Sequence, residues 1–395
     1  MPADIVAARI RAMQLPPFDP LNTRGAELRA QGHDVISLGQ ALPFFPPPSS
    51  AIRAARAALD DPAVHLYATD PGLPGLRAVL AERLAEETGQ RVTADDIIIA
   101  AGANHAFALA LTTLAGAGDE VVMPAPYFTN HHMTVVALGA LPVEPAVADR
   151  STFEVRWTDL APYVGAKTRA VVLCNPSNPT GAPVSAAEGR LIVRELASRG
   201  IAVISDETYM SLVLDGDHWS AASEPTWRDH VVVVGSFSKA FGMMGWRVGF
   251  VLADAAICRE IVKVQDAMMI CAPVISQMAA EAAVRESWDY ARTFHPELRR
   301  RRQILTDGLA AVPGIHWTPS RAALFGLARF DGCHNSEALS HALLEDAHVV
   351  TIPGSAFGPS GEGSLRLSFG RASESQIAEA VNRLALHLRA IAQRR

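Results

Sequence analysis

Short uninterrupted apolar runs recur along the chain, at residues 97–99 (Ile-Ile-Ile), 121–123, 171–173, 202–204, 231–234 and 248–251. Runs of this length without polar alternation suit strands buried on both faces. Between some of them, 73–87 and 185–199 carry apolar residues at helical spacing. The pattern therefore predicts an α/β fold around a largely parallel sheet. After about residue 290, long helical patterns alternate with shorter apolar segments at 323–328, 349–352 and 364–369, which predicts a smaller C-terminal α/β domain. The proline-rich stretch 43–48 predicts a fixed extended connection after an N-terminal segment.

Composition narrows the class. The chain has 395 residues, 49% of them hydrophobic, enough for a large core and two domains. A net charge of −6 argues against a nucleic-acid binder. The one basic run, Arg299-Arg300-Arg301-Arg302, falls in a predicted helix and reads as a solvated face. Cys174, Cys258, Cys271 and Cys333 are too scattered for a zinc site or a redox dithiol, so reduced thiols and no metal are expected. The apolar residues between Ile5 and Ile10 are too few for a secretory segment, and no stretch is long and charge-free enough to span a bilayer. A cytoplasmic enzyme without membrane or nucleic-acid partners is the expectation.

The polar motifs are placed for chemistry. Asn175, Asp206 and Ser236 each follow one of the apolar runs, which puts them at the carboxyl ends of strands. Open α/β sheets bind ligands at that edge. Ser236-Phe237-Ser238-Lys239 adds an amine able to condense with an aldehyde, with hydroxyls and Arg247 nearby to hold a phosphate.

In order along the chain stand Asn175-Pro176-Ser177-Asn178-Pro179-Thr180-Gly181, Ser205-Asp206-Glu207-Thr208-Tyr209, the segment Ser236 to Arg247, and Leu365-Arg366-Leu367-Ser368-Phe369. Together they resemble the class I/II aminotransferases, the fold-type I pyridoxal phosphate enzymes, over nearly the whole chain. The resemblance implies a large domain over 49–290 with a mostly parallel seven-stranded sheet. It also implies a small domain over 291–395, against which residues 1–48 pack.

It further implies roles for individual residues. Lys239 would join pyridoxal 5′-phosphate as a Schiff base and later carry a proton between the substrate Cα and the cofactor. Asp206 would keep the pyridine nitrogen protonated, and Tyr209 and Asn178 would hydrogen-bond the phenolic oxygen. Gly102, Ala103 and Asn104, opening a helix over 107–114, would form a phosphate cup with Ser236, Ser238 and Arg247. Tyr127 would stack on the ring, Arg366 would bind the substrate α-carboxylate as a planar fork, and Gly39 would lie beside that carboxylate. Tyr67 would reach the phosphate of a neighbouring subunit, giving a homodimer with shared active sites.

No arginine or lysine occurs between Asn104 and Leu114, where some relatives place a cation for a second carboxylate. The segments 126–131, 241–246, 264–266 and 275–277 resemble the branch with aromatic amino acid and methionine aminotransferases. An aromatic or other large neutral amino acid, with a 2-oxo acid acceptor in a ping-pong cycle, is the expected substrate pair. Phe44 replaces the family's small turn residue and puts a bulky side chain where the entrance is expected. Two alternatives use the same motifs: a lyase or cyclase acting after Cα deprotonation, and a ligand-sensing regulator on an aminotransferase-like domain. The regulator would need a DNA-binding module, and no basic helix-turn-helix precedes Asp34.

Overall fold

The computed structural model describes residues 5–394, with side chains described through residue 390. Among the described residues, strands β1 (Ile36–Ser37) to β13 (Ser364–Ser368) form three sheets. The largest contains β2 (Ile97–Ala100), β3 (Glu120–Val122), β4 (Leu141–Val143), β5 (Thr168–Cys174), β6 (Ala202–Asp206), β7 (Val231–Ser236) and β8 (Gly249–Leu252) in the order β2-β8-β7-β6-β5-β3-β4. All six apolar runs become strands of this sheet. The seventh strand, β4, has no such run because Pro142 interrupts it, and its half-exposed place at the sheet edge tolerates proline. The sheet is mixed: β8 runs antiparallel to both β2 and β7, while the pairs from β7 to β4 are parallel.

The absence of alternation in the runs follows from helices on both faces. Ile97, Ile99, Val171, Leu173, Val231 and Val233 face one apolar cluster with the helices Pro74–Thr88, Ala186–Ala197 and Val274–Ser287. Ile98, Ala100, Val172, Ile204, Val232 and Val234 face the other, with Ala103–Leu114 and Ala255–Met268. Each fully buried valine or isoleucine contributes roughly 1.5–3 kcal/mol. A rigid slab results, and its carboxyl edge carries the polar motifs.

A second, antiparallel sheet joins β9 (Ile315–Trp317), β10 (Phe325–Phe330), β12 (Ile352–Pro353) and β13 in the order β12-β13-β10-β9. Arg366 lies on β13, between Leu327 of β10 and Ile352 of β12. The N-terminal chain closes onto this part: β1 pairs in parallel with β11 (Val349–Val350), and Leu21 and Leu28 of the helix Phe18–Ala30 pack with Val35, Leu344, Val350, Ile352 and Phe357.

The basic run on the helix His295–Ala310 is solvated at Arg299 and Arg300, as expected, but not at Arg301 and Arg302. Arg299 donates to the Leu214 carbonyl, Arg300 pairs with Glu374, and Arg302 pairs with Asp215. Arg301 is buried, paired with Glu297, and its guanidinium lies 3.9 Å over the Phe44 ring. Phe44 is thereby drawn into the apolar cluster around Phe45 and Phe294 and does not line the cavity described below. No helix among the described residues is long and apolar enough to cross a membrane.

Candidate active site

A cavity of about 370 Å³ opens at the carboxyl edge of the large sheet. Such a volume suits a cofactor-sized ligand. The sheet side contributes Cys174, Asn178, Asp206, Tyr209, Ser236, Ser238, Lys239 and Arg247, with Ala103 and Asn104 from the adjoining helix. The opposite side contributes Phe18, Asp19, Gly39, Ala41, Ile352 and Arg366. Of the residues to which the resemblance gives a cofactor or substrate role, Gly102, Tyr127 and Tyr67 do not line this cavity, and neither do Asn175 and Phe44.

The chain contains three lysines, Lys167, Lys239 and Lys263. Lys167 and Lys263 are exposed, whereas Lys239 follows β7 into the cavity and donates from Nζ to the Ala41 carbonyl at 2.6 Å. This scarcity is a signal present in the sequence beyond the motifs, because a lysine-anchored cofactor has few places to attach. Burial, reinforced by the positive charges of Arg366 and Arg247, lowers the Lys239 pKa to about 8. About a tenth of the amine is therefore neutral at pH 7, the nucleophilic and proton-accepting form, far more than for an ordinary lysine.

Arg247 occupies the left-handed region at φ +52°, a conformation costing about 1–3 kcal/mol for a residue with a side chain. Its Nη1 donates to the Met244 carbonyl at 2.7 Å and lies 3.5 Å from Ser238 Oγ. Gly102, the N-cap of Ala103–Leu114 at φ +86°, lies directly against this guanidinium: a Cβ there would stand 2.1 Å from Arg247 Nη2. The glycine lets the positive end of a helix and a guanidinium converge on one point, the arrangement that binds phosphate. Ser236 Oγ accepts from the Ser238 N–H at 3.1 Å and holds the turn that carries Lys239.

Asp206, 4% exposed at the end of β6, receives a hydrogen bond from His131 Nε2 at 2.9 Å and another from the Thr208 N–H at 3.0 Å. Burial opposes ionisation, but the bonds and charge from His131 outweigh it and leave the pKa below the usual carboxylate value. A buried anion thus faces the cavity. His131 is itself buried, with its ring 4.1 Å from that of Phe107; its role was not read from the sequence, since a histidine inside an apolar helix carries no distinguishing pattern. Glu207 was likewise missed. Its buried carboxylate accepts from Ser205 Oγ and the Ala221 N–H, both at 2.9 Å, and pairs with His218 at 2.9 Å, fixing the loop that presents Tyr209. Tyr209 is buried edge-on against Phe325, and burial raises its pKa.

Arg366 is 4% exposed, with Nη1 donating to Asn178 Oδ1 at 3.0 Å and Nη2 to the Gly39 carbonyl at 2.7 Å. Its Nε is buried without a partner among the described residues. Burial lowers its pKa to about 10. A Cβ at Gly39 would stand 3.0 Å from Val350 Cγ1, so the residue keeps the second wall close to the guanidinium. Asn178 is positioned by the loop after β5, which Asn175 ties down through the Trp219 carbonyl at 2.6 Å and the Val184 N–H at 2.9 Å.

Two of the expected residues lie outside the lining of this chain's own cavity. Tyr127 does not face the cavity: its hydroxyl bonds to Glu144 and its ring lies 5.3 Å from and parallel to that of His132, while its N–H donates to the Phe357 carbonyl. The neighbouring Phe128 lines the cavity instead. Tyr67, expected to serve a neighbouring subunit's site, is 80% exposed and does not line this chain's own cavity.

Lys239, Arg247 and Arg366 converge here, and none of them has an ion pair among the described residues. Gathering cations without counter-ions is costly unless a ligand supplies the negative charge. The donor set fits pyridoxal 5′-phosphate together with an amino acid, which bring a phosphate and a carboxylate.

The chain matches the family described as aminotransferase class I and II over residues 33–384. An aspartate aminotransferase of Pyrococcus abyssi is 34% identical over 370 residues, covering 92% of this chain and 94% of that protein. An aromatic-amino-acid aminotransferase of Thermococcus litoralis is 32% identical over 363 residues, covering 90% and 92%. The crystal structure of an aromatic aminotransferase from Pyrococcus horikoshii superposes with a TM-score of 0.86 at 32% identity, covering 93% of this chain and 99% of that one. The chain belongs to the class I and II aminotransferases and is a pyridoxal 5′-phosphate-dependent transaminase.

Proposed function

We propose that this enzyme moves the amino group of an aromatic or other large neutral L-amino acid to a 2-oxo acid in a ping-pong cycle. The observation that carries the substrate class is the allocation of cations. Lys239, Arg247 and Arg366 would be taken up by the cofactor aldehyde, the phosphate and the α-carboxylate, and among the described residues no further lysine or arginine lines the cavity for a second carboxylate. Phe18, Leu42, Phe128, Met244 and Ile352 provide apolar wall for the side chain. The relatives named above include both aspartate and aromatic enzymes, so membership of the family leaves the choice to these residues.

Bound here, pyridoxal 5′-phosphate supplies an electron-accepting ring and carries the amino group between the two half-reactions. Ser236, Ser238, Arg247 and the helix start at Gly102, Ala103 and Asn104 hold the phosphate. Asp206, kept ionised by His131, would keep a proton on the pyridine nitrogen, and Tyr209 and Asn178 would hydrogen-bond the phenolic oxygen. Phe128, which lines the cavity, would supply apolar surface for the cofactor ring. Arg366 fixes the α-carboxylate through two parallel hydrogen bonds, with Gly39 beside it, and so aims Cα–H toward Lys239. The Lys239 amine removes the Cα proton and returns it, its lowered pKa matching the task.

The same reading makes the enzyme a cytoplasmic homodimer in which Tyr67 of each subunit completes its neighbour's phosphate site. It divides the chain into a large domain over 49–290 and a small one over 291–395 packed with 1–48, of which residues 1–4 and 395 lie outside the described residues. The test is to mix the holoenzyme with single amino acids, without an oxo acid, and record the visible spectrum. Conversion to the pyridoxamine form by phenylalanine, tyrosine, tryptophan or methionine is expected. Conversion by aspartate or glutamate alone would overturn the substrate class, and release of ammonia would indicate a lyase.

A further inference from the structure

We propose that Asp19 determines which side chains this site accepts, favouring those that end in a hydrogen-bond donor, cationic ones included, over those that end in a carboxylate. The inference rests on the assignment of Arg366 to the α-carboxylate. The Phe18 ring centroid lies 5.5 Å from the Arg366 guanidinium, which places the start of the helix Phe18–Ala30 beside the substrate anchor. Asp19 and, one turn on, Asn22 line the same cavity, and Asn130 lines it from the large-sheet side. The cavity that holds Arg366 and Lys239 therefore also offers a bound amino acid's side chain the Asp19 carboxylate and the Asn22 and Asn130 amides.

Asp19 has no ion pair or side-chain hydrogen bond among the described residues, whereas the other aspartate lining the cavity, Asp206, is held by His131 and Thr208. It is also exposed, so it is available to a ligand without the cost of breaking an internal pair. A competing role is purely helical, because an acidic side chain in a first turn complements the helix dipole. Helix placement has other support, however, in Leu21 and Leu28 against Val35, Val350 and Phe357. The two roles differ in what they predict for closely matched substrates.

The experiment compares single-turnover kcat/KM of the holoenzyme and its D19N and D19A variants for glutamine against glutamate and for tyrosine against phenylalanine. The first pair differs in charge and the second in one donor. Like-charge repulsion at the cavity mouth lies between its bulk-water and near-surface limits, so D19N is expected to narrow a glutamine preference by about tenfold. Loss of the acceptor in D19A is expected to reduce the tyrosine-to-phenylalanine ratio by about tenfold. Unchanged ratios, or a uniform fall on all four substrates, would assign Asp19 to the helix alone and overturn the proposal. The failure of the large-neutral reading is separate: it would appear as absent phenylalanine turnover in the unmodified enzyme, while the glutamine-to-glutamate ratio still judges Asp19.

Discussion

The two walls of the cavity are built on different principles. The sheet wall consists of strand ends: Asp206 closes β6, Ser236 closes β7 and Lys239 follows at once, each fixed by hydrogen-bonded neighbours on a slab buried on both faces. The opposite wall is gathered from distant parts of the chain, since Arg366 meets the Gly39 carbonyl across 327 residues and Phe18 comes from the N-terminal helix. Its inner part is buried and its outer part, at Asp19, is open to solvent. On the proposed function, proton transfer belongs to the slab, whereas the assembled wall anchors the α-carboxylate in its buried part and meets the side chain at its open rim. Changes on the slab should abolish turnover, changes at Arg366 should weaken every substrate alike, and changes at the rim should redistribute turnover among substrates.

The largest effect is expected at Lys239. Lys239→Ala should lower the half-reaction by about 10³-fold or more, and Lys239→Arg should not restore it, because a guanidinium does not give up its proton. Single-turnover spectroscopy reads both. Next is Arg366→Lys, where loss of the planar fork should lower kcat/KM by about 10²-fold for every amino acid alike. A loss confined to one substrate class would blur the division between anchoring and discrimination.

Uptake of the cofactor should depend on pH through Lys239. With a pKa of about 8 the neutral amine is scarce below that value and dominant above it. The rate at which apoenzyme binds pyridoxal 5′-phosphate should therefore rise about tenfold between pH 7 and pH 9, as stopped-flow absorbance would follow.

A smaller change is expected from His131→Phe. Without the Nε2–H donor the Asp206 pKa rises, so ionisation demands a higher pH, the acid limb of the kcat profile moves upward, and kcat at neutral pH falls by about tenfold. The smallest contrast separates two neighbours: Phe128→Ala should cost about three- to tenfold through lost ring contact, and Tyr127→Phe less than about twofold. Steady-state rates on one amino acid suffice for both.

The same contrast explains what was legible in the sequence. The slab announces itself because strands covered on both faces must be apolar throughout, so the polar residue that ends each run stands out. That is why Asn175, Asp206 and Ser236 could be placed on one rim from the runs alone. β4 escaped because an edge strand can carry Pro142 and half-exposed side chains. Tyr127 and Phe128 are adjacent aromatics in one loop, and their local sequence does not show that Tyr127 bonds Glu144 and stacks on His132. Arg366 was reached through the resemblance of its strand. Nothing in local composition marks Phe18, Asp19 or His131, whose positions depend on contacts across the fold. Within the arginine run at 299–302 the withdrawal of Arg301 and Arg302 from solvent was not legible, because helical spacing does not show that Glu297, Asp215 and Phe44 wait beside them.

The most direct test of the central claim is the location of the cofactor bond. Borohydride reduction of the holoenzyme, followed by digestion and mass spectrometry, identifies which of the three lysines carries the pyridoxyl group. The predicted result is stoichiometric modification of Lys239, with Lys167 and Lys263 untouched. Modification of either exposed lysine in its place, or retention of cofactor with no modified lysine, would contradict the account of this cavity as the site of amino-group transfer.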